Sequence, residues 1–401
     1  MRPRFLRNAI TLGLLSAIGP FAIDMYLPSL PAIGRSLHAD AGGVQMSLTV
    51  FFIALSIGQP LCGALADSFG RKTPLYCGLG LFAAASIGCA TAANLATLLV
   101  FRFLQGLGAC AGIVVPRAIV RDLHTGVDAT RLMSLLMLVF SVSPILAPLT
   151  GSFVIQRSGW RAIFWTVLIA SLAGLALVAT LEETRTRAQR AHGGVRGALA
   201  AYRTLLREPY FLGITCVCTF GLASFFVYLS NSPFVLIEHY HLSPRLFSIC
   251  FSANAAAFFA AAQLTGWLAA RIGLRALVLR ASTAYALAML LLVALFASGI
   301  DRLDVLAALL FIGYGFLGLV LPTAAVLALE EHGKIAGSAS ALMGTIQFAA
   351  GSVVMMVVGS LARGTPFPMV AGIAACAALA AVLAQATLRL APEPRGEAAT
   401  Q

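Results

Sequence analysis

Charge is what this chain has least of. Only 10% of its 401 residues are Asp, Glu, Lys or Arg, against roughly a quarter in a soluble domain. That shortage excludes a water-facing surface wide enough to enclose a chain of this length. Lysine is nearly missing, with Lys72 and Lys334 the only two beside 25 arginines. The resulting net charge of +12 would suggest nucleic acid in a soluble protein. Here the arginines sit in alternate loops, so no nucleic-acid partner is expected. Metal-ligand spacing is also missing. The eight cysteines (Cys62, Cys77, Cys89, Cys110, Cys216, Cys218, Cys250 and Cys376) form no CxxC and read as small core residues. The six histidines fall at segment ends or in loops and make no ligand pair. An intramembrane enzyme needs convergent His, Asp, Glu or Ser/His sets at membrane depth. None occurs, and no repeated pore loop argues for a channel.

What remains is apolar: 60% hydrophobic residues and a mean hydropathy of +0.92. The hydrocarbon core of a bilayer is about 30 Å thick and takes about 20 apolar residues per helix. Twelve such segments fit: 8–31, 44–66, 74–93, 95–121, 131–156, 161–181, 210–231, 246–270, 276–299, 303–329, 336–361 and 366–390. The start, MRPRFLRNAI, has the look of a signal-peptide n-region. The run after it is too long and carries Asp24 and Pro28, so a retained first helix is expected. With the N-terminus inside, inner loops and tails hold 19 basic residues and outer loops 6. That bias predicts both termini in the cytoplasm. The polar, arginine-rich stretch 182–209 divides the chain into bundles 1–181 and 210–390, with 391–401 as a cytoplasmic tail. An internal repeat supports the division: Gly63-Ala-Leu-Ala and Gly266-Trp-Leu-Ala both continue as x-x-x-Gly. Parallel six-helix repeats are one architecture that rocks about a central site.

Several motifs carry a family resemblance. The loop GALADSFGRKTPL, starting at Gly63, resembles the signature loop G-x-L-A-D-x-x-G-R-K-x-x-L of the major facilitator superfamily. Gly63 and Gly70 would permit close helix approach and a tight turn. The resemblance implies that Asp67 faces the start of the eleventh helix near Ala336, where a helix dipole favours an anion. It also implies that Arg71 bridges Asp67 and Asp122; anchoring of the topology by Arg71 and Lys72 is the plainer reading, and both can hold. Together these residues would form the conformational switch. In the second copy Ala270 replaces the Asp, so a one-sided latch is expected. Arg102-Phe-Leu-Gln105-Gly106 resembles the family's R-x-x-x-G motif, and Pro144, Pro148 and Gly151 resemble the antiporter motif G-P-x-x-G-G of helix five. Ala147 and Ser152 stand where that motif has glycines. Asp24-Met25-Tyr26-Leu-Pro28 opens a D-M-Y-L-P-x-L-P phrase similar to drug:proton antiporters of the bicyclomycin and chloramphenicol resistance branch. Arg117 to Asp122, Trp160 to Trp165, Ser232 to Glu238 and the run from Gly337 point the same way.

The expected architecture is therefore an all-α membrane protein of major facilitator fold, with two six-helix bundles. The expected activity is proton-coupled export of a small amphiphilic compound across the inner membrane by a monomer, driven by the proton gradient without a cofactor. Proton-coupled movement of a metabolite by the same fold is the alternative. Asp24 and Arg102 both lie about 10 Å below the outer surface. A charge at that depth is costly and marks a functional site. A carboxylate held between burial, which favours its protonated form, and a guanidinium, which favours its charged form, can exchange a proton as access alternates. Arg117 lies a turn from the cytoplasmic end, where snorkelling competes with coupling. Candidate cavity residues are Met25, Tyr26, Gln105, Phe225, Phe226, Tyr228, Asn231, Asn254, Tyr314 and Gln347: apolar walls with few polar groups, which suit an amphiphile.

Overall fold

The computed structural model describes residues 3–123, 126–184, 194–330, 335–361 and 365–390. Among them, twelve helical stretches are long and apolar enough to cross a bilayer. In lipid every backbone polar group must be satisfied within its own segment, and the helix does this for an uninterrupted apolar run.

The first crossing consists of α1 (Pro3–Asp24), a 3-10 turn (Leu27–Ser29) and α2 (Leu30–Leu37). The next five are α3 (Ala41–Phe69), α4 (Lys72–Ala90), α5 (Leu95–Leu123), α6 (Gly126–Ser158) and α7 (Arg161–Thr180). A short helix, α8 (Gly194–Leu205), precedes the second set. The seventh crossing joins α9 (Pro209–Pro233) to a π turn (Phe234–His239). The eighth is α10 (Pro244–Gln263), followed by α11 (Thr265–Ile272). The last four are α12 (Leu274–Ala297), α13 (Leu303–Glu330), α14 (Ala336–Leu361) and α15 (Phe367–Leu390).

Alternation puts the start of α1, the end of α15 and α8 on one face, the termini face. The other is the far face. In the first bundle α5 packs on α3 and α4, α4 on α7, and α1 on α6. In the second, α9 packs on α15, α12 on α13 and α15, and α10 on α13. The bundles meet where α14 lies along α3 and α10 along α6, while α8 touches both α3 and α14. Lipid tails are as apolar as leucine, so close packing of small residues draws such helices together. The apolar side chains that point outward, such as Ile169 and Val382, face lipid by the same reasoning.

The signature loop and its repeat adopt one conformation. Gly70 has φ 91° and Gly273 φ 81°, both in the region that disfavours a side chain. Each stands where one membrane helix ends and the next begins. The reading of Gly63 needs correction. A Cβ added there would meet only Val114, at 3.9 Å, which is ordinary contact. Gly63 is therefore not a close-approach position.

Candidate functional site

The first crossing breaks at Asp24, where the sequence reading placed one unbroken segment. Pro28 has no N–H to offer the Asp24 carbonyl, and its ring crowds that oxygen. The helix closes with Tyr26 N donating to Ile23 O at 3.3 Å, a tighter turn. Ser29 then caps the break, its Oγ donating to Tyr26 O at 2.5 Å. Asp24 is 4% exposed. Its carboxylate has no ion-pair partner among the described residues. The Ser143 hydroxyl of α6 is set against it, but completes no hydrogen bond among the described residues.

Arg102 meets the break at Tyr26. It is fully buried, and its guanidinium carbon sits 4.5 Å from the ring centres of both Tyr26 and Phe51. A desolvated cation over an aromatic face gains about 2 kcal/mol. Arg102 Nη1 donates to Gln105 Oε1 at 2.6 Å, Gln105 Nε2 donates to Ser86 Oγ at 2.8 Å, and the Tyr26 and Ser47 hydroxyls meet at 2.8 Å. Arg102 Nε and Nη2 have no hydrogen-bond partner among the described residues. Equal depth therefore does not make a pair: Asp24 faces α6, while Arg102 is held by rings.

The α6 helix packs on this break. A Cβ added at Gly151 would overlap the Met25 main-chain carbonyl, so only glycine lets α6 approach α1 there. Pro148 withholds a donor from the Pro144 carbonyl and bends the helix. Nearby carbonyls then turn toward the other bundle. Ile145 O accepts from Ser252 Oγ at 2.7 Å, and Pro148 O accepts from Ser248 Oγ at 2.8 Å. Gln45 Nε2 donates to Asn231 Oδ1 at 3.1 Å, and Arg35 meets Glu238 at 3.4 Å. These four contacts join the bundles toward the far face. Below them Phe52 stacks on Phe226, with centroids 4.4 Å apart, and both rings pack on Phe348.

At the termini face Arg71 is the hub. Its Nε and Nη2 donate to the two Asp122 oxygens at 2.7 and 3.1 Å, and its Nη1 donates to Asp67 at 2.9 Å. Burial alone would lower the Arg71 pKa, but the hydrogen bonds and charges of Asp122 and Asp67 raise it above its ordinary value. Glu183 accepts from the main-chain N–H groups of Arg71 and Lys72 at 2.8 and 3.1 Å, and Lys72 Nζ donates to Leu181 O at 2.8 Å. The loop is thus tied to the ends of α5 and α7. The expected contact of Asp67 at the start of the eleventh helix falls on 331–334 and the side chain of Ala336, outside the described residues. Arg121 does reach that region, with Nη1 3.1 Å from where a Gly337 Cβ would stand. In the repeat Arg271 covers Trp267 at 3.8 Å.

Arg71→Ala is expected to cost about 2–3 kcal/mol, less than the loss of a fully buried pair because Asp67 and Asp122 regain water. Arg71→Lys keeps the charge but not the fork that spans three oxygens. It should retain most of the stability and lose most of the transport rate. Thermal unfolding and uptake rates on the two variants check this.

The chain matches the sequence profile described as Major Facilitator Superfamily over residues 12–355. The chain belongs to the major facilitator superfamily. It is 37% identical over 368 residues to YdgK of Bacillus subtilis (strain 168), described as an uncharacterized MFS-type transporter, covering 91% of each chain. It is 28% identical over 379 residues to a bicyclomycin resistance protein homolog of Haemophilus influenzae, covering 92% of each. It is 33% identical over 236 residues to the multidrug resistance protein MdtL of Escherichia coli O6:H1, covering 59% of each. Among solved structures it resembles a D-xylose-proton symporter, with TM-score 0.77 and 15% identity, covering 97% of this chain and 98% of the other. This major facilitator protein is a multi-pass inner-membrane transporter and not an enzyme.

Within that fold the expected cavity residues separate into three places. Met25, Tyr26 and Gln105 are buried inside the first bundle, Met25 against Ala147 and Ile163. The sequence reading put them in a cavity as neighbours of Asp24 and Arg102. Phe226 and Asn231 belong to the contact between bundles. Phe225, Tyr228 and Tyr314 form one aromatic cluster with Phe251, on which Tyr228 stacks at 5.5 Å. Asn254 Nδ2 donates to Tyr228 OH at 2.8 Å, and the buried Tyr314 hydroxyl has no partner among the described residues. Gln347 is half-buried on α14, next to Phe348. Arg117 is also half-buried. Sequence reasoning missed Glu183, Ser143, Phe51, Ser248 and Ser252. None of the five lies in a recognisable motif, and Glu183 falls in the stretch read as linker.

Proposed function

We propose that this transporter exports a small amphiphilic organic compound, of the antibiotic kind, in exchange for protons. Asp24 carries the proton, and substrate and proton compete. The observation that carries the reading is a nearly fully buried carboxylate with no ion-pair partner among the described residues, at a helix break on which α6 packs closely through Gly151. The names of the Haemophilus and Escherichia relatives support the substrate class. Arg102, with two unpartnered donors, tunes Asp24 when the short break between α1 and α2 turns the carboxylate toward it. The signature-loop cluster governs the switch between facings. In this reading the termini, the 182–209 linker and the 391–401 tail are cytoplasmic, and the protein works as a monomer.

The function is tested in everted membrane vesicles holding a proton gradient, with bicyclomycin, phenicols, sulfonamides and lipophilic cations added in turn. A proton leak provoked by one of these compounds supports antiport. Silence across the panel, with amino acids, sugars or organic acids active instead, overturns drug export.

The far-face seal must open for export. Gly42 and Gly359 lie close there: a Cβ on Gly42 would lie 3.3 Å from the Gly359 carbonyl oxygen, while a Cβ on Gly359 would displace the flexible amide end of Gln45. That proximity suits a disulfide between the Gly42→Cys and Gly359→Cys variants. Oxidation of the double variant should stop transport and reduction restore it, measured as uptake with and without dithiothreitol. Transport undiminished by a formed cross-link would show that the seal stays closed throughout the cycle.

A further inference from the structure

A second cavity lies away from Asp24, on the membrane-facing side of the second bundle. It is a groove of about 410 Å3 between the seventh crossing, α10 and α13, near the far face. Its lips are exposed apolar side chains, Ile249 at 47%, Phe311 at 49% and Ile312 at 48%. Its floor is Tyr228 and Asn254, 1% and 6% exposed. Between Leu306 and Ile312 it runs about 9 Å along α13 at 1.5 Å per residue. The wall facing α13 is made of small residues, Cys250 and Ala253, which leave the width open.

The floor is not fully satisfied. Asn254 uses its Nδ2 on the Tyr228 hydroxyl at 2.8 Å. Its Oδ1 accepts no hydrogen bond among the described residues, and it is not among the wholly enclosed atoms. An amide oxygen at membrane depth has no water to turn to, so leaving it bare is costly. An acyl chain fills apolar width but donates nothing. The occupant that completes this groove has an apolar body and one N–H or O–H donor.

We infer that this groove is a binding site for small lipophilic compounds carrying a single hydrogen-bond donor, which enter from the bilayer and donate to Asn254 Oδ1. The site is separate from the Asp24 break and does not depend on the direction of transport or its coupling to protons.

The test uses the full chain in lipid nanodiscs, without a gradient. The probe is a 4-alkylphenol bearing a diazirine, and labelled positions are read by peptide mass spectrometry. Competitors are 4-butylphenol and its methyl ether, which has the same body without the donor. Labelling should concentrate on 249–254 and 306–312. The phenol should displace it at about three- to tenfold lower concentration than the ether, the size expected of one hydrogen bond. Asn254→Leu should remove that difference, and Ala253→Trp should block labelling of the groove with its polar floor intact. Lipid-facing positions on α15, such as Val382, report simple partitioning and should not change. Equal competition by phenol and ether in wild type, or groove labelling no stronger than at Val382, would overturn the inference. If Asn254→Leu does not fold, the wild-type competition and Ala253→Trp still decide it. A failed drug panel with successful phenol competition would count against the export reading alone.

Discussion

Asp24→Asn protein reaches the membrane in wild-type amounts and accumulates no substrate against a gradient beyond vesicles lacking the transporter. Asn has the shape of Asp and none of its charge or exchangeable acid proton. Asp24 has no ion-pair partner among the described residues, so the substitution strands no cation. Burying a carboxylate without a paired cation is costly and a neutral amide of the same shape avoids the charge, so thermal unfolding should stay level or rise. The variant should still bind substrate, with an affinity that no longer weakens as protons are added. Downhill exchange of labelled for unlabelled substrate, which needs no net proton movement, should persist. Loss of stability or of expression would assign Asp24 a structural part instead.

The second large effect concerns Gly151. A methyl group there overlaps the Met25 main-chain carbonyl, and main chain cannot swing aside as the end of a flexible side chain can. Overpacking of this kind costs about 1–3 kcal/mol. The strain falls where α6 touches the Asp24 break and where its carbonyls meet Ser248 and Ser252. Gly151→Ala should therefore lower both unfolding temperature and transport. Gly63→Ala is the matched control, since its added methyl meets only Val114 at 3.9 Å. It should be near neutral in both measurements. Two glycines from two family motifs are thus expected to differ sharply. A Gly151→Ala protein as active and stable as Gly63→Ala would remove the kinked helix from the account.

The depth of a residue was legible in the sequence, but its direction was not. Asp24 and Arg102 were placed at one level by counting residues from the helix ends. Such counting rests on the fixed rise per residue and gives an expected level, not a direction. Which way Asp24 points depends on helical phase, and the turn at Met25–Tyr26 resets that phase. Pro28 and Pro31 announced a disturbance without giving its angle. The twelve crossings were readable because an apolar run long enough to span a bilayer has few other uses. The Arg71–Asp122 and Arg71–Asp67 pairs were readable through resemblance to a family loop. Glu183 was not, because it lies beyond the sixth segment in a stretch that reads as solvated linker. Ser248 and Ser252 look like ordinary small helix residues. Their importance arises only when Pro148 turns carbonyls toward them from the other bundle.

The most direct test of Asp24 as the exchanging carboxylate is proton release by the purified transporter in weakly buffered detergent solution. The compound found active in vesicles is added to wild type and to Asp24→Asn, and the pH is followed with an indicator dye. The account predicts acidification with wild type that saturates with substrate binding, and none with Asp24→Asn, although substrate still binds. Equal proton release from both proteins would contradict it and place the coupling group elsewhere.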